Sequence, residues 1–163
     1  MNAIDFLTAQ HRTLEGLLKE VANSKKAGHG VAGFQKVGDH LTTHITSEEQ
    51  LFYPAVRAQR TEDILLESLE EHLSLKRLLA DLLALDPAEK TFAPKFQVLK
   101  EQTEHHHKEE EEHLFPKVRS LLTSDALEKL GSEMEQLQQQ MQASGAPRKA
   151  VVTQTAAAEP LHD

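Results

Sequence analysis

The chain has 163 residues, a formal net charge of −8 and no cysteine; hydrophobic residues make up 39% of it and aromatic residues only 4%. This length fits one domain, and the lack of cysteine excludes disulfides, thiolate catalysis and cysteine-ligated iron–sulfur clusters. The acidic balance opposes nucleic acid as a partner, because phosphate backbones need a basic patch. No apolar run is long enough to span a bilayer, and the first residues lack the pattern of a signal peptide. We therefore expect a cytoplasmic protein without a membrane partner.

The composition, rich in Leu, Ala, Glu and Gln, favours helices. Apolar residues recur at helical spacing in four long segments, 2–23, 33–59, 62–85 and 92–121. The links between these segments are short, which favours antiparallel neighbours. The predicted fold class is all-α, an up-down-up-down four-helix bundle that occupies residues 1–122.

The rest of the chain divides into two parts. Residues 123–143 predict a short fifth helix with a narrow apolar stripe, formed by Leu127, Leu130, Met134, Leu137 and Met141. That stripe has two interpretations, packing against the bundle or contact in a homodimer. Residues 144–163 have no periodic apolar pattern, so we expect a disordered tail.

One motif occurs twice at the same spacing. His44-x-x-x-Glu48 precedes Leu51-Phe52, and His107-x-x-x-Glu111 precedes Leu114-Phe115. Residues four apart on a helix share one face, about 6 Å apart along the axis. Each helix can therefore present an imidazole and a carboxylate to the same ion.

The first and third predicted helices repeat each other as well, since His11-x-x-Leu14 matches His72-x-x-Leu75. The chain is therefore interpreted as a duplicated helix pair. The predicted metal ligands are His11, His44, Glu48, His72, His107 and Glu111. Four imidazoles and two carboxylates fit two ions with bridging carboxylates, and this mixed set favours iron or manganese over zinc.

An alternative is that the histidines are hydrogen-bonded core residues and that the glutamates face solvent. Burying an unpaired ion costs on the order of several kcal/mol, so two inward carboxylates favour the metal hypothesis. The run 104–113 permits other His-x-x-x-Glu frames, and the Leu-Phe repeat selects the frame of His107. In that frame His105, His106 and His113 are assigned to solvent or to outer hydrogen bonds. Glu15 and His40 lie one turn from predicted ligands, and their roles stay open.

These residues resemble the haemerythrin-like, or HHE cation-binding, family over about residues 3–121. The resemblance implies a four-helix bundle around a non-haem di-iron centre that binds oxygen or related small ligands. Oxygen-carrying members have a further histidine one turn after the third-helix ligand, and here that residue is Lys76. The chain is thus more similar to the regulatory and stress-related branch. Lys76 is either a solvated cation or a donor near the metal-bound ligand.

The expected function is that of a non-haem di-iron protein that binds or senses oxygen, peroxide, nitric oxide or iron itself. Two alternatives stay open. The same centre could be a peroxide-decomposing, catalase-like or oxidase enzyme, or the chain could be a helical interaction module with a structural metal. The sequence does not separate them, because each needs the same ligands.

Overall fold

The computed structural model describes residues 1–24 and 27–163, and this part of the chain contains helices and no strand. The four helices of the bundle are α1 (Ala3–Asn23), α2 (Ala27–Ser47), α3 (Glu62–Ala84) and α4 (Phe92–Glu109). A π-helical turn at Glu48–Phe52 and a last turn at Tyr53–Ala55 continue α2. A π-helical turn at Glu110–Leu114 and a short helix at Phe115–Leu121 continue α4. They are followed by α5 (Ser124–Ala143) and a 3₁₀ helix (Pro147–Thr153). The all-α prediction is confirmed.

Helix α2 begins earlier than the sequence predicted. Its first residue is Ala27 instead of residue 33, so that Gly30 and Gly33 lie inside the helix. A glycine inside a helix costs about 0.5–1 kcal/mol relative to alanine, and the packing of the long helix offsets this local preference. The link between α1 and α2 falls at residues 25–26, outside the described residues.

The hydrophobic core consists of two clusters with a polar layer between them. In α1, Leu7 belongs to one cluster and Leu14 to the other, and His11 lies between them along the helix. In α3, Leu69 and Leu75 flank His72 in the same way. The helical period places all six side chains on the inward face, so the histidines lie at the level where the two clusters meet.

Helix α5 packs against α1 and α2. Thr123 caps its start by accepting a hydrogen bond from the Ala126 backbone N–H. Leu127, Leu130 and Met134 join the core cluster at the N-terminal end of α1. Three residues of the apolar stripe therefore pack against the bundle within the chain. A homodimer through this helix stays a prediction, and it would use another face of α5.

The structure does not show the predicted disordered tail. Val151, in the 3₁₀ helix, is 1% exposed and joins the second core cluster. Arg148 forms an ion pair with Asp39 of α2 at 3.1 Å, and the Arg57 guanidinium donates to the Leu161 carbonyl at 3.2 Å. This segment is ordered by contacts with the bundle, which a search for periodic patterns does not detect. Among the described residues, no helix is long and apolar enough to cross a membrane.

Candidate metal centre

The polar layer is made of imidazoles and carboxylates from all four helices of the bundle. Its members, each at most 1% exposed, are His11, His44, Glu48, His72, His106, His107 and Glu110. Neutral imidazole and carboxylate oxygen together are the donors that iron, manganese and zinc accept. The layer therefore has the chemistry of a metal centre.

The donor atoms form two neighbouring groups. In the first, site A, the ligand atoms all lie within 4.8 Å of one another, and its members are His11, His44, Glu48 and Glu110. In the second, site B, the same holds for Glu48, His72 and His106. Glu48 belongs to both groups, which is the position of a bridging carboxylate.

Both carboxylates lie between the two sites. Glu48 Oε1 is 3.3 Å from His44 Nε2 in site A and 3.3 Å from His72 Nε2 in site B. Glu110 Oε1 is 3.4 Å from His11 Nε2 in site A and 3.4 Å from His106 Nε2 in site B. Each carboxylate thus contacts one imidazole on either side.

Several of these atoms have no hydrogen-bond partner in the described part of the chain. They are His11 Nε2, His44 Nε2, both oxygens of Glu48, Glu110 Oε1 and both nitrogens of His107. A buried polar atom without a partner costs about 1–3 kcal/mol. The high number of unpartnered polar atoms in one layer is explained if these atoms are ligands of cations. The residues present therefore fit a pair of metal ions.

The imidazoles are held in orientations that suit metal binding. At site A, His44 Nδ1 lies 2.8 Å from Gln10 Oε1, and at site B His106 Nδ1 lies 2.8 Å from Glu71 Oε1. These oxygens only accept hydrogen bonds, so Nδ1 carries the proton and Nε2 keeps a lone pair that faces the layer.

Site B also brings two imidazole nitrogens within hydrogen-bond distance of each other. His72 Nε2 and His106 Nε2 lie 3.0 Å apart. Because His72 Nδ1 contacts Glu49 Oε2 at 3.0 Å, both rings direct an Nε2 lone pair toward the other. Two lone pairs at this distance repel each other unless a proton or a cation lies beside them.

Both π-helical turns begin at a layer carboxylate, Glu48 in α2 and Glu110 in α4. A π-helical turn holds one more residue than an α-helical turn, and such turns are frequent at functional sites. Glu48 stands six residues before Pro54, and Glu110 stands six residues before Pro116. Glu110 is therefore the counterpart of Glu48 in the duplicated half.

This register differs from the sequence prediction by one residue. The structure places Glu110, instead of the predicted Glu111, in the polar layer. Aligning the halves on Leu-Phe made Phe115 the counterpart of Phe52, whereas Phe115 in fact corresponds to Tyr53. An alignment on the two prolines would have found the correct pair.

Glu111 has an outer position. Its side chain is 22% exposed, and its Oε2 lies 2.8 Å from His11 Nδ1 while its other oxygen accepts from Arg12. Its counterpart Glu49 likewise contacts His72 Nδ1. Both glutamates therefore orient an imidazole of the layer from behind.

The other predicted residues are distributed as follows. The structure brings five of the predicted ligands into the layer: His11, His44, Glu48, His72 and His107. It adds His106, which the sequence analysis had assigned to solvent or to outer hydrogen bonds. His105 and His113 are exposed, and Glu15 contacts Arg12.

Lys76 is not the solvated cation of the first interpretation. It is 3% exposed, and its ammonium group donates to Glu49 Oε1 at 2.8 Å. Glu49 is itself 5% exposed, so this is a buried ion pair. Lys76 therefore acts on His72 through Glu49.

Helix α5 contributes a residue that the sequence analysis missed. Gln138 donates from Nε2 to Gln10 Oε1 at 3.0 Å and to Ser47 Oγ at 2.9 Å. Gln10 in turn contacts His44 Nδ1. Gln138 thus fixes the outer partner of a layer imidazole, and nothing in the Gln-rich sequence of α5 distinguishes it from its neighbours.

The two buried carboxyls have opposite pKa shifts. Burial, together with the nearby Glu110 charge, raises the pKa of Glu48 well above its ordinary value. Burial acts in the same direction on Glu110, but attraction to His106 and to the neighbouring His11 outweighs it and holds the pKa of Glu110 well below its usual range.

Burial, followed by repulsion from His11, lowers the pKa values of His44 and His107 well below the ordinary value for histidine. Both rings are therefore neutral at pH 7. The neutral form of imidazole is the one that binds metal ions.

A cavity of about 390 Å³ reaches the layer from the surface. Glu110 and Glu71 line it, together with Ser68 of α3 and Glu109 of α4. Because Glu71 holds His106, the cavity lies on the side of site B. A small molecule or ion could approach the centre through this acidic opening.

Over the described residues, the fold and the layer define an all-helical protein with buried histidine and glutamate clusters suited to metal binding. The sequence model of the Hemerythrin HHE cation binding domain matches residues 2–118, and also residues 65–157. The chain belongs to the hemerythrin HHE cation-binding family, which confirms the resemblance drawn from the sequence.

Two known proteins are similar to this chain. The crystal structure of a Hemerythrin HHE cation binding domain-containing protein, the Rv2633c homolog from Mycobacterium kansasii, is 25% identical with a TM-score of 0.78, and the match covers 94% of this chain and 98% of that one. A DNA nickase from Nostoc sp. (strain PCC 7120) is 29% identical over 142 residues, which is 87% of this chain and 40% of the nickase. The chain therefore spans less than half the length of that relative.

Proposed function

We propose that this chain is a non-haem di-iron protein that binds or senses a small ligand such as oxygen, peroxide or nitric oxide, or iron itself. The observation that carries the proposal is the pair of buried donor groups that share Glu48, in which several atoms have no hydrogen-bond partner among the described residues. Carboxylate and imidazole together favour iron, with manganese and zinc as weaker candidates.

In this proposal each residue of the layer has a definite role. His11 and His44 would hold one ion, His72 and His106 would hold the other, and Glu48 and Glu110 would contribute a carboxylate to each. When bound, two iron ions would supply redox capacity and coordination positions for the small ligand. The chain orients the imidazoles through their Nδ1 atoms, and the hydrophobic clusters on both sides limit the access of water.

A second candidate function, peroxide decomposition or oxidase activity at the same centre, is favoured by Tyr53. Its hydroxyl donates to Glu110 Oε2 at 2.9 Å and lies 3.2 Å from His72 Nε2. The counterpart Phe115 has no hydroxyl, so only site B has this donor. A buried hydroxyl beside the centre could deliver a proton to a bound molecule, which turnover needs and simple binding does not.

A structural metal in an interaction module remains the third alternative, and it predicts a centre closed to added ligands. Nucleic acid is not among the proposed partners: the net charge of −8 is unfavourable for phosphate binding.

The test begins with anaerobic loading of iron, elemental analysis and a visible spectrum before and after addition of azide, nitric oxide or peroxide. We expect about two irons per chain and a spectrum that changes with the added ligand. Steady oxygen evolution from peroxide, lost in Tyr53→Phe while the iron content is retained, would favour the enzyme. Iron without any spectral response would favour the structural metal, and a folded chain that takes up no metal would refute the proposal.

A further inference from the structure

His107 breaks the symmetry of the duplicated halves. It follows His106 in α4, and the residue that follows His44 in α2 is Ile45. Both positions are buried, with His107 1% exposed and Ile45 3% exposed. One half therefore has an extra imidazole where the other has an aliphatic side chain.

The extra imidazole lies on the side of site A. Its ring stacks on that of His11, with 3.8 Å between centroids and 8° between planes, and its centroid lies 5.3 Å from that of His44. Ligand atoms of the three rings lie within 4.8 Å of one another. Each of the three rings therefore offers a nitrogen within reach of a single ion.

His107 is not an ordinary core histidine held by hydrogen bonds. Neither Nδ1 nor Nε2 has a hydrogen-bond partner within the described residues. The rings of His11, His44, His72 and His106, by contrast, all have an outer partner on Nδ1. Buried polar groups are usually paired, and a metal ion would be the missing partner of His107.

We infer that His107 is a third nitrogen ligand at site A and that it makes the two metal positions unequal. This inference rests on the proposed di-metal function. Site A would have three imidazoles, whereas site B has two, with the Tyr53 hydroxyl nearby. Each additional imidazole strengthens binding, so site A fills first and retains its ion longer.

The fifth histidine of this chain stands on another helix than the fifth histidine of the oxygen-carrying members. Oxygen-carrying members of the family have theirs one turn after the third-helix ligand, which here is next to His72 and thus beside site B. That residue is Lys76, and its ammonium group is occupied by Glu49. The chain thus has its fifth histidine on α4, beside the opposite ion.

This arrangement gives the two metal positions different numbers of protein donors. Site B has fewer protein donors, and the cavity lined by Glu71 and Glu110 lies on its side. The ion at site A is then the more strongly held one, and the ion at site B is the one with positions open to exchange.

The experiment is a titration of the metal-free full chain with cobalt(II) in competition with a chelator, followed by visible absorption. The wild type should bind two cobalt ions, and it should bind the first at least about tenfold more tightly than the second. The variant His107→Ile installs the side chain of the counterpart Ile45. In this variant the affinity for the first cobalt ion should fall about 10–100-fold, and the affinity for the second ion should change less than about threefold. His106→Ala should weaken mainly the second ion, and the exposed His105→Ala is the matched control that should change neither.

The inference is overturned if His107→Ile leaves both affinities within twofold of the wild type, or if it weakens the second ion alone. A wild type that binds no cobalt, zinc or iron would instead refute the proposed function itself. If circular dichroism shows that His107→Ile has lost its helices, His107→Gln, which keeps a polar side chain without the imidazole, decides by the same criterion.

Discussion

The buried ion pair behind His72 offers a test that needs no metal. Glu49 and Lys76 are 5% and 3% exposed and lie 2.8 Å apart, and Glu49 also contacts His72 Nδ1. Replacing Glu49 by Leu leaves the Lys76 ammonium group buried without a counter-charge. Loss of one partner of such a pair costs about 3–5 kcal/mol, because the remaining charge is uncompensated.

The assay is urea denaturation of the metal-free protein in the presence of a chelator, followed by circular dichroism. Glu49→Leu should lower the free energy of unfolding by about 3–5 kcal/mol, equivalent to about 6–20 °C in midpoint temperature for a chain of this size. The double variant Glu49→Leu/Lys76→Leu should be more stable than Glu49→Leu alone, since it removes the stranded cation. Its remaining loss should be about 1–3 kcal/mol, from the His72 N–H that has lost its acceptor.

The matched control is the exposed pair on α5, in which Lys129 is 80% exposed and Glu133 is 43% exposed. Glu133→Leu should change the free energy of unfolding by no more than about 0.5 kcal/mol. If Glu49→Leu costs no more than this control, or if the second substitution destabilises it further, then Lys76 is solvated in solution and the account of the ion pair is wrong.

Three further predictions concern the metal centre. Because burial, followed by the charge of Glu110, raises the pKa of Glu48 well above its ordinary value, metal binding should release protons and should strengthen as the pH rises. Calorimetry in buffers of different ionisation enthalpy measures this release, and metal binding without proton release would contradict the shift. Glu110→Gln should reduce the bound metal below two ions per chain. Glu111→Gln should still bind two ions, with an affinity about 10-fold weaker. The reverse result would favour Glu111 as the ligand, as the Leu-Phe repeat predicted. Gln138→Leu should also weaken metal binding about 10-fold through the α2 imidazole, with exposed Gln139→Leu as a control that should match the wild type.

The sequence was sufficient to predict the helices and the inward histidines, because both follow from a strong period. Leu7, His11 and Leu14 share one face of α1 whatever the details of packing, as do Leu69, His72 and Leu75 in α3. A polar residue in such a stripe must lie in the core. That argument requires no knowledge of the neighbouring helices.

The sequence was not sufficient for the register of α4. The Leu-Phe step stands one residue nearer to the following proline in α4 than in α2, so aligning the halves on Leu-Phe shifts the histidine and glutamate pair by one residue. Both His106 and His107 are buried, although neighbouring residues on a helix point about 100° apart. The alignment of the two repeats selected His107 alone and therefore left out His106, which also belongs to the polar layer.

Interactions that depend on the tertiary fold were equally inaccessible. Gln138 reaches the layer only because α5 packs against α1 and α2. The close approach of Gly131 to the backbone of Met1, which leaves no room for a Cβ atom, is part of this packing. Neither contact leaves a periodic signal in the chain.

The central claim is that two cations lie side by side with Glu48 and Glu110 between them. An anomalous-scattering map from crystals of the iron-loaded protein tests it most directly. We predict two peaks, one beside His11 and His44 and the other beside His72 and His106. A single peak, or iron bound only at surface carboxylates, would contradict the account.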